Sequence, residues 1–215
     1  PSSQSYEVMK SELGQLMYVT ESGAFYIMVD GNVYGIDLNS LDTKVLVEGL
    51  SDEAVAISES NRFLAWVDPS AIRGSGTIHI IDFVTEKVTD VTESTSDYVK
   101  PLGFMQEDFV YGVAKSADVV VDAAGNTLFP MYQVKIMDTS SEEHEVLKTY
   151  EKTGYYVQNI AISGYTIYLN RIQNNGTAYV DADQDMIMNR DGDSLKVVDI
   201  ATKNTDERET QVLIT

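Results

Sequence analysis

Asp181, Asp183 and Asp185 alternate along the chain, and Asp191 and Asp193 follow closely. Carboxylates at alternate positions of a loop can converge on a hard cation, and calcium takes roughly six to eight oxygen ligands. The five aspartates are therefore a candidate metal site, with Asn174–Asp193 read as an insertion. Calcium is the one cofactor the sequence suggests. The match to an EF-hand loop is poor, because Met186 stands where that loop needs glycine and Gly192 where it needs glutamate. The competing reading is a hairpin turn at Asp191-Gly192, with the other acids facing water.

A second insertion runs from Ser116 to Pro130 and leads into Met131-Tyr132. Val119–Val121 reads as a short extra strand and Ala124-Gly125-Asn126 as a turn. An aromatic-rich loop can line a binding face, which makes Phe129 and Tyr132 candidate binding residues. The alternative is that Phe129, Met131 and Tyr132 plug a gap in the core. Tyr155 and Tyr156 are further candidates, since their rings can stack on a ligand at a loop end or simply pack there. Enzyme chemistry has less to build on. His79 sits in the alternating stretch Thr77–Asp82 and reads as a packed strand residue, and His144 lies in a charged, solvated stretch. The chain contains no His-Glu-x-x-His, no Gly-x-Ser-x-Gly elbow and no phosphate-binding glycine loop. With 34 acidic residues, no carboxylate pair stands out as a glycosidase couple.

The elements that position these residues follow a repeat. Four alternating strands end in aspartate and run into a polar turn: Tyr34–Asp37, His79–Asp82, Val134–Asp138 and Leu195–Asp199. Upstream of each lies another strand: Phe25–Asp30, Phe63–Asp68, Phe109–Ala114 and Tyr165–Asn170. Ala54–Ser58, Lys100–Phe104, Val157–Ser163 and the weaker Leu16–Val19 precede these, and Lys44–Val47, Glu86–Val91, His144–Lys148 and Thr210–Ile214 follow the aspartates. Turn chemistry at Asp30-Gly31, Glu59–Asn61, Gln106–Asp108 and Ser163-Gly164 supports the cuts. Each unit is thus four antiparallel strands, about 45 to 60 residues per period, which favours a radial β architecture over a sandwich or a solenoid.

On these residues the chain resembles the β-propeller repeat, most closely the loosely patterned, TolB-like propellers of exported bacterial proteins. The Gly-His and Trp-Asp signatures of WD40 blades are absent. The resemblance implies an all-β propeller-like fold of about four four-stranded blades, as one domain over 1–215, with blades near 15–50, 51–96, 97–153 and 154–215. The chain opens on Pro1 and closes within the strand-like Gln211–Ile214, so the expectation is a portion of a larger protein or ring. Tyr6, Met9 and Leu13 have helical spacing with Gly14 as a stop, and Tyr6–Lys10 also reads as a strand, which would complete another blade.

At 215 residues the chain can bury about 70% of its extended surface, and 43% hydrophobic content fits an ordered globular protein. The absence of cysteine excludes thiol catalysis and cysteine zinc sites, and fits an extracytoplasmic setting in the cell envelope or secreted. A formal charge of −19 opposes nucleic acid and anionic lipid and favours basic or uncharged partners. No apolar run is long enough to insert in a membrane. The expected function is a non-catalytic binding or scaffold module for a protein, peptide or glycan, with self-association through open blade edges. The alternative is a propeller domain that gates or completes the active site of a larger hydrolase.

Overall fold

The computed structural model describes residues 15–51, 54–71, 74–121, 126–141 and 143–188, together with the backbone of 200–204 and 210–214. The first sheet comprises β1 (Met17–Val19), β2 (Ala24–Val29), β3 (Asn32–Asp37) and β4 (Thr43–Val47) in sequential antiparallel order. The second repeats the pattern with β5 (Val55–Ile57), β6 (Phe63–Trp66), β7 (Thr77–Asp82) and β8 (Lys87–Thr92). The third contains β9 (Asp97–Met105), β10 (Asp108–Lys115), β13 (Gln133–Met137) and β14 (Val146–Glu151). Between β10 and β13 the chain makes a small hairpin from β11 (Val120–Val121) and β12 (Thr127–Leu128). The fourth sheet is β15 (Tyr156–Ser163), β16 (Thr166–Asn174) and β17 (Tyr179–Met188), and a further hairpin pairs β18 (Ile200–Asn204) with β19 (Thr210–Ile214). The protein is all-β with propeller-type blades. Among the described residues no helix is long and apolar enough to cross a membrane.

The middle sheets bury both faces, and the two-residue period of a strand explains how. In β10, Phe109, Tyr111 and Val113 enter the core shared with the second sheet. Val110 and Ala114 enter the core shared with the fourth. In β6, Phe63 and Ala65 face the third sheet while Leu64 faces the first. Three apolar cores therefore lie between successive sheets, which is how blades stack. The outward face of the first sheet is apolar too, with Met17, Val19 and Val45 exposed.

The repeated aspartates have a local role. Asp37 Oδ1 accepts the amides of Asn39 at 2.7 Å and Ser40 at 3.0 Å. Asp82 Oδ1 accepts Val84 N at 2.9 Å, and Asp138 Oδ1 accepts Ser140 N at 2.7 Å. Each carboxylate closes the turn into the outermost strand, as an Asx turn does. Asp199 lies outside the described residues. The turn between β2 and β3 has Asp30 at φ 58° and Gly31 at φ 67°, the left-handed pair that a two-residue hairpin requires.

The fourth sheet corrects one expectation. Its third strand is Tyr179–Met188, within the stretch that the sequence reads as an inserted loop; Leu195–Asp199 lies outside the described residues. Asp181, Asp183 and Asp185 are thus strand residues. Among the described residues one face of the sheet is open, so few apolar side chains are needed there, and the polar stretch pairs with β16 through its backbone and through the Asp185–Arg171 and Gln184–Asn170 side-chain bonds.

Two outcomes follow. A Cβ on Gly112 would enter the van der Waals shell of the fully buried Met131 side chain. Gly112→Ala should therefore lower stability by about 1–3 kcal/mol in urea denaturation, whereas no loss would mean that Met131 has room to move. The turn carboxyls give a pH dependence. Hydrogen bonds from Ser40 and Asn39 hold Asp37 below the ordinary range. Those from Ser140 do so for Asp138. At Asp82 burial pushes upward, but Arg62 and the Val84 amide outweigh it. A depressed carboxyl stabilises the fold fully above its unfolded value of about 4, and that contribution fades as pH falls through the folded value. Asp108, pushed up by burial and by Asp138, acts in the opposite sense. Thermal melts from neutral to acid pH should show progressive loss of stability, and Asp138→Asn, which retains an acceptor oxygen, should flatten the slope.

Candidate functional site

In an antiparallel sheet of four sequential strands, the connections between the second and third strands emerge at one end, with those leading to the next sheet. That upper end gathers the described residues of 67–76, 116–132 and 175–178, together with those of 48–54, 93–96 and 152–155. The opposite, lower end carries the aspartate-capped turns.

Tyr132 stands at the upper end beside a polar cluster built on Asp97. Asp97, the first residue of β9, is 4% exposed. It accepts Lys115 Nζ at 2.7 Å, Tyr132 Oη at 3.1 Å and the Ser94 hydroxyl. Burial raises its pKa, yet Lys115, Ser94 and Tyr132 together hold it below the usual carboxylate range. The Lys115 ammonium also lies 4.4 Å from the Tyr132 ring centre and remains half exposed. Next to it, Glu93 accepts Lys135 Nζ at 2.5 Å and Tyr111 Oη at 3.0 Å.

Tyr155 belongs to a second assembly at the junction of the third and fourth sheets. The Arg171 guanidinium is 4.3 Å from its ring centre and the Lys152 ammonium 5.3 Å. Arg171 is buried, donates to Asp185 at 2.9 Å and to the Asp183 carbonyl at 2.6 Å, and meets Tyr150 Oη at 3.2 Å. Tyr156 packs edge-on against Tyr179, 5.3 Å between ring centres. Phe129 does not join them. It is buried with Val119 and Met131 in the core between the third and fourth sheets. There Met131 exchanges two backbone hydrogen bonds with Val157, tying the insertion to β15.

The aspartates separate likewise. Asp185 is paired with Arg171, lies 3.6 Å from Lys152 and accepts Tyr150 Oη at 3.0 Å. Its pKa is lowered, first by the Met186 amide and further by Tyr150 and Arg171 against the effect of burial. Asp181 lies opposite Ile172, and Asp191 and Asp193 lie outside the described residues. Among the described residues no group of three acidic or histidine side chains converges as a metal cage. His79 bonds Asp90 at 2.7 Å and packs on Trp66. His144, expected in solvent, is half buried between the Thr89 hydroxyl at 3.2 Å and the Asp138 carbonyl at 3.3 Å. The Asp138 carboxylate is turned to Ser140, so this histidine joins two sheets rather than forming a charge relay.

Sequence reasoning passed over Asp97, Lys115, Glu93, Lys135 and Arg171. Only Arg171 left a signal, as a lone cation in an otherwise apolar and neutral strand. The rest are brought together by packing.

No family model matches the chain, and no curated protein matches it. Among solved structures it resembles U3-55K at 15% identity and a TM-score of 0.40, over 78% of this chain and 50% of that one. It also resembles the β-propeller domain of the Trilobed protease from Pyrococcus furiosus at 14% identity and 0.38, over 89% and 59% respectively. A third resemblance is to the tricorn protease, at 17% identity and 0.39, over 75% and 19%. The chain thus spans half the length of the first of these. At such scores the architecture rests on the strand order and the three inter-sheet cores.

Proposed function

We propose that this chain is a non-catalytic binding module of an exported bacterial protein, and that it takes a peptide or protein segment on the upper end of its blades. The carrying observation is the division of labour between the two ends. The lower end holds turns fixed by aspartate caps, whereas the upper end holds the long connections and the tyrosines with cations against their rings. Binding residues concentrate on loops that a rigid scaffold positions. Half-buried aromatic rings supply contact area at little entropic cost, because packing has already fixed them.

The ammonium groups of Lys115 and Lys152 remain half exposed above Tyr132 and Tyr155. They offer local anchors for carbonyl or carboxylate groups within a surface that is otherwise acidic. The charge of −19 adds longer-range attraction for basic segments. Lack of cysteine supports the exported setting. Self-association through the outer edges β4, β8 and β14 is part of the same reading, but each carries an exposed lysine, Lys44, Lys87 or Lys148, which blunts such pairing.

Peptides selected from a displayed random library against the intact chain test this reading. Tyr155→Ala and Tyr132→Ala should each weaken the selected peptides by about tenfold or more. Lys87→Ala, at the lower end, should leave them unchanged. Loss with the lower-end variant alone would place the site at the other end.

A further inference from the structure

We propose that the open face of the fourth sheet binds a neutral glycan chain along a row of amides. Asn159, Asn170 and Gln184 lie on the adjacent strands β15, β16 and β17, with Asn159 and Asn170 directly paired. Gln184 Nε2 donates to Asn170 Oδ1 at 2.8 Å, and Asn170 Nδ2 donates in turn to Asn159 Oδ1. All three side chains are exposed. Both bonds run in one direction, so the row is polarised and each amide strengthens the next. Its terminal groups are the Asn159 amide nitrogen and the Gln184 carbonyl oxygen.

The row borders a groove of about 310 Å³ lined by Gln158, Asn159, Asn170, Arg171, Asp181 and Ala182. Arg171 is already committed to Asp185 and the Asp183 carbonyl, which leaves Asp181 as the carboxylate at the groove. Tyr168, two residues from Asn170 on the same face, is 38% exposed and lies between Ala161 and Met186 on the neighbouring strands.

This combination selects its ligand by chemistry. Primary amides donate and accept side by side, as adjacent sugar hydroxyls do. An exposed tyrosine ring gives the C–H face of a sugar a flat apolar surface. Strand spacing of about 4.8 Å sets the step between amides, comparable with the width of a sugar ring. An anion would meet Asp181 and the field of a −19 protein. A further sheet docking here would have to desolvate the amide row beside Tyr168, Met186 and Met188, whereas the three existing cores are apolar. The site is a flank of the fourth sheet and not the upper end, so it stands independently of the peptide reading.

The test is titration of the isotope-labelled chain with two neutral tetrasaccharides, cellotetraose and mannotetraose, following side-chain amide resonances by NMR. At least one should move the Asn159 and Asn170 amides with a dissociation constant near or below about 1 mM. Tyr168→Ala and Asn170→Ala should each weaken that binding about fivefold or more without changing the melting temperature. No shift with either sugar up to about 10 mM, or shifts that persist in both variants, would overturn the proposal. Binding confined to a charged oligosaccharide would also overturn it.

Discussion

The structure depends on face-to-face contact between successive sheets. A single four-stranded sheet has two faces, and the middle sheets here have hydrophobic residues on both, so neither can be stable alone. Stacking solves this by placing Phe83 on Tyr26, ring centres 4.5 Å apart, at the first junction. It buries Phe109 and Tyr111 at the second and Ile167 and Leu169 at the third. Burial of these apolar side chains supplies most of the driving force, but a buried tyrosine hydroxyl needs a partner. At each junction the partner is a carboxylate that also meets a cation. Tyr26 donates to Glu86, paired with Lys44. Tyr111 donates to Glu93, paired with Lys135. Tyr150 donates to Asp185, paired with Arg171. Burial, helped by the neighbouring carboxylate, keeps the Tyr26 and Tyr111 hydroxyls protonated well above their ordinary range.

These triads also shape the electrostatics. Six cations, Lys44, Arg62, Lys115, Lys135, Lys152 and Arg171, are held by carboxylates within or between blades. The chain has only 15 basic residues against 34 acidic ones. Committing so many of them to fixed positions leaves the remaining acids to set the outer field, which salt screens beyond a Debye length of about 8–10 Å. Selectivity at short range therefore falls to the neutral and aromatic groups near the surface, such as Tyr155 and the amide row of the fourth sheet.

Much of the scaffold was legible in the sequence because its determinants are local. The aspartates at 37, 82 and 138 recur since each caps the turn two or three residues ahead, and the unbroken apolar runs Phe63–Trp66 and Phe109–Ala114 report two-sided burial directly. The candidate sites were less legible. Tyr26 and Glu86 are 60 residues apart, and Tyr150 and Asp185 are 35 apart, so their pairing exists only once the sheets stack. Tyr179–Met188 looked like a loop because its acids mask a strand that gains its order from pairing with β16. Phe129 had two readings in the insertion, a lining of a binding face or a plug of the core, and beside the hairpin of β11 and β12 it packs in the core.

The central claim is that the tyrosine–carboxylate pairs couple neighbouring sheets, and a double-mutant cycle on Tyr111→Phe and Glu93→Gln measures it most directly. Unfolding free energies of the parent, both single variants and the double variant should give a coupling of about 0.5–3 kcal/mol. Additive losses, agreeing within about 0.3–0.5 kcal/mol, would contradict it and leave apolar packing alone to hold the sheets together.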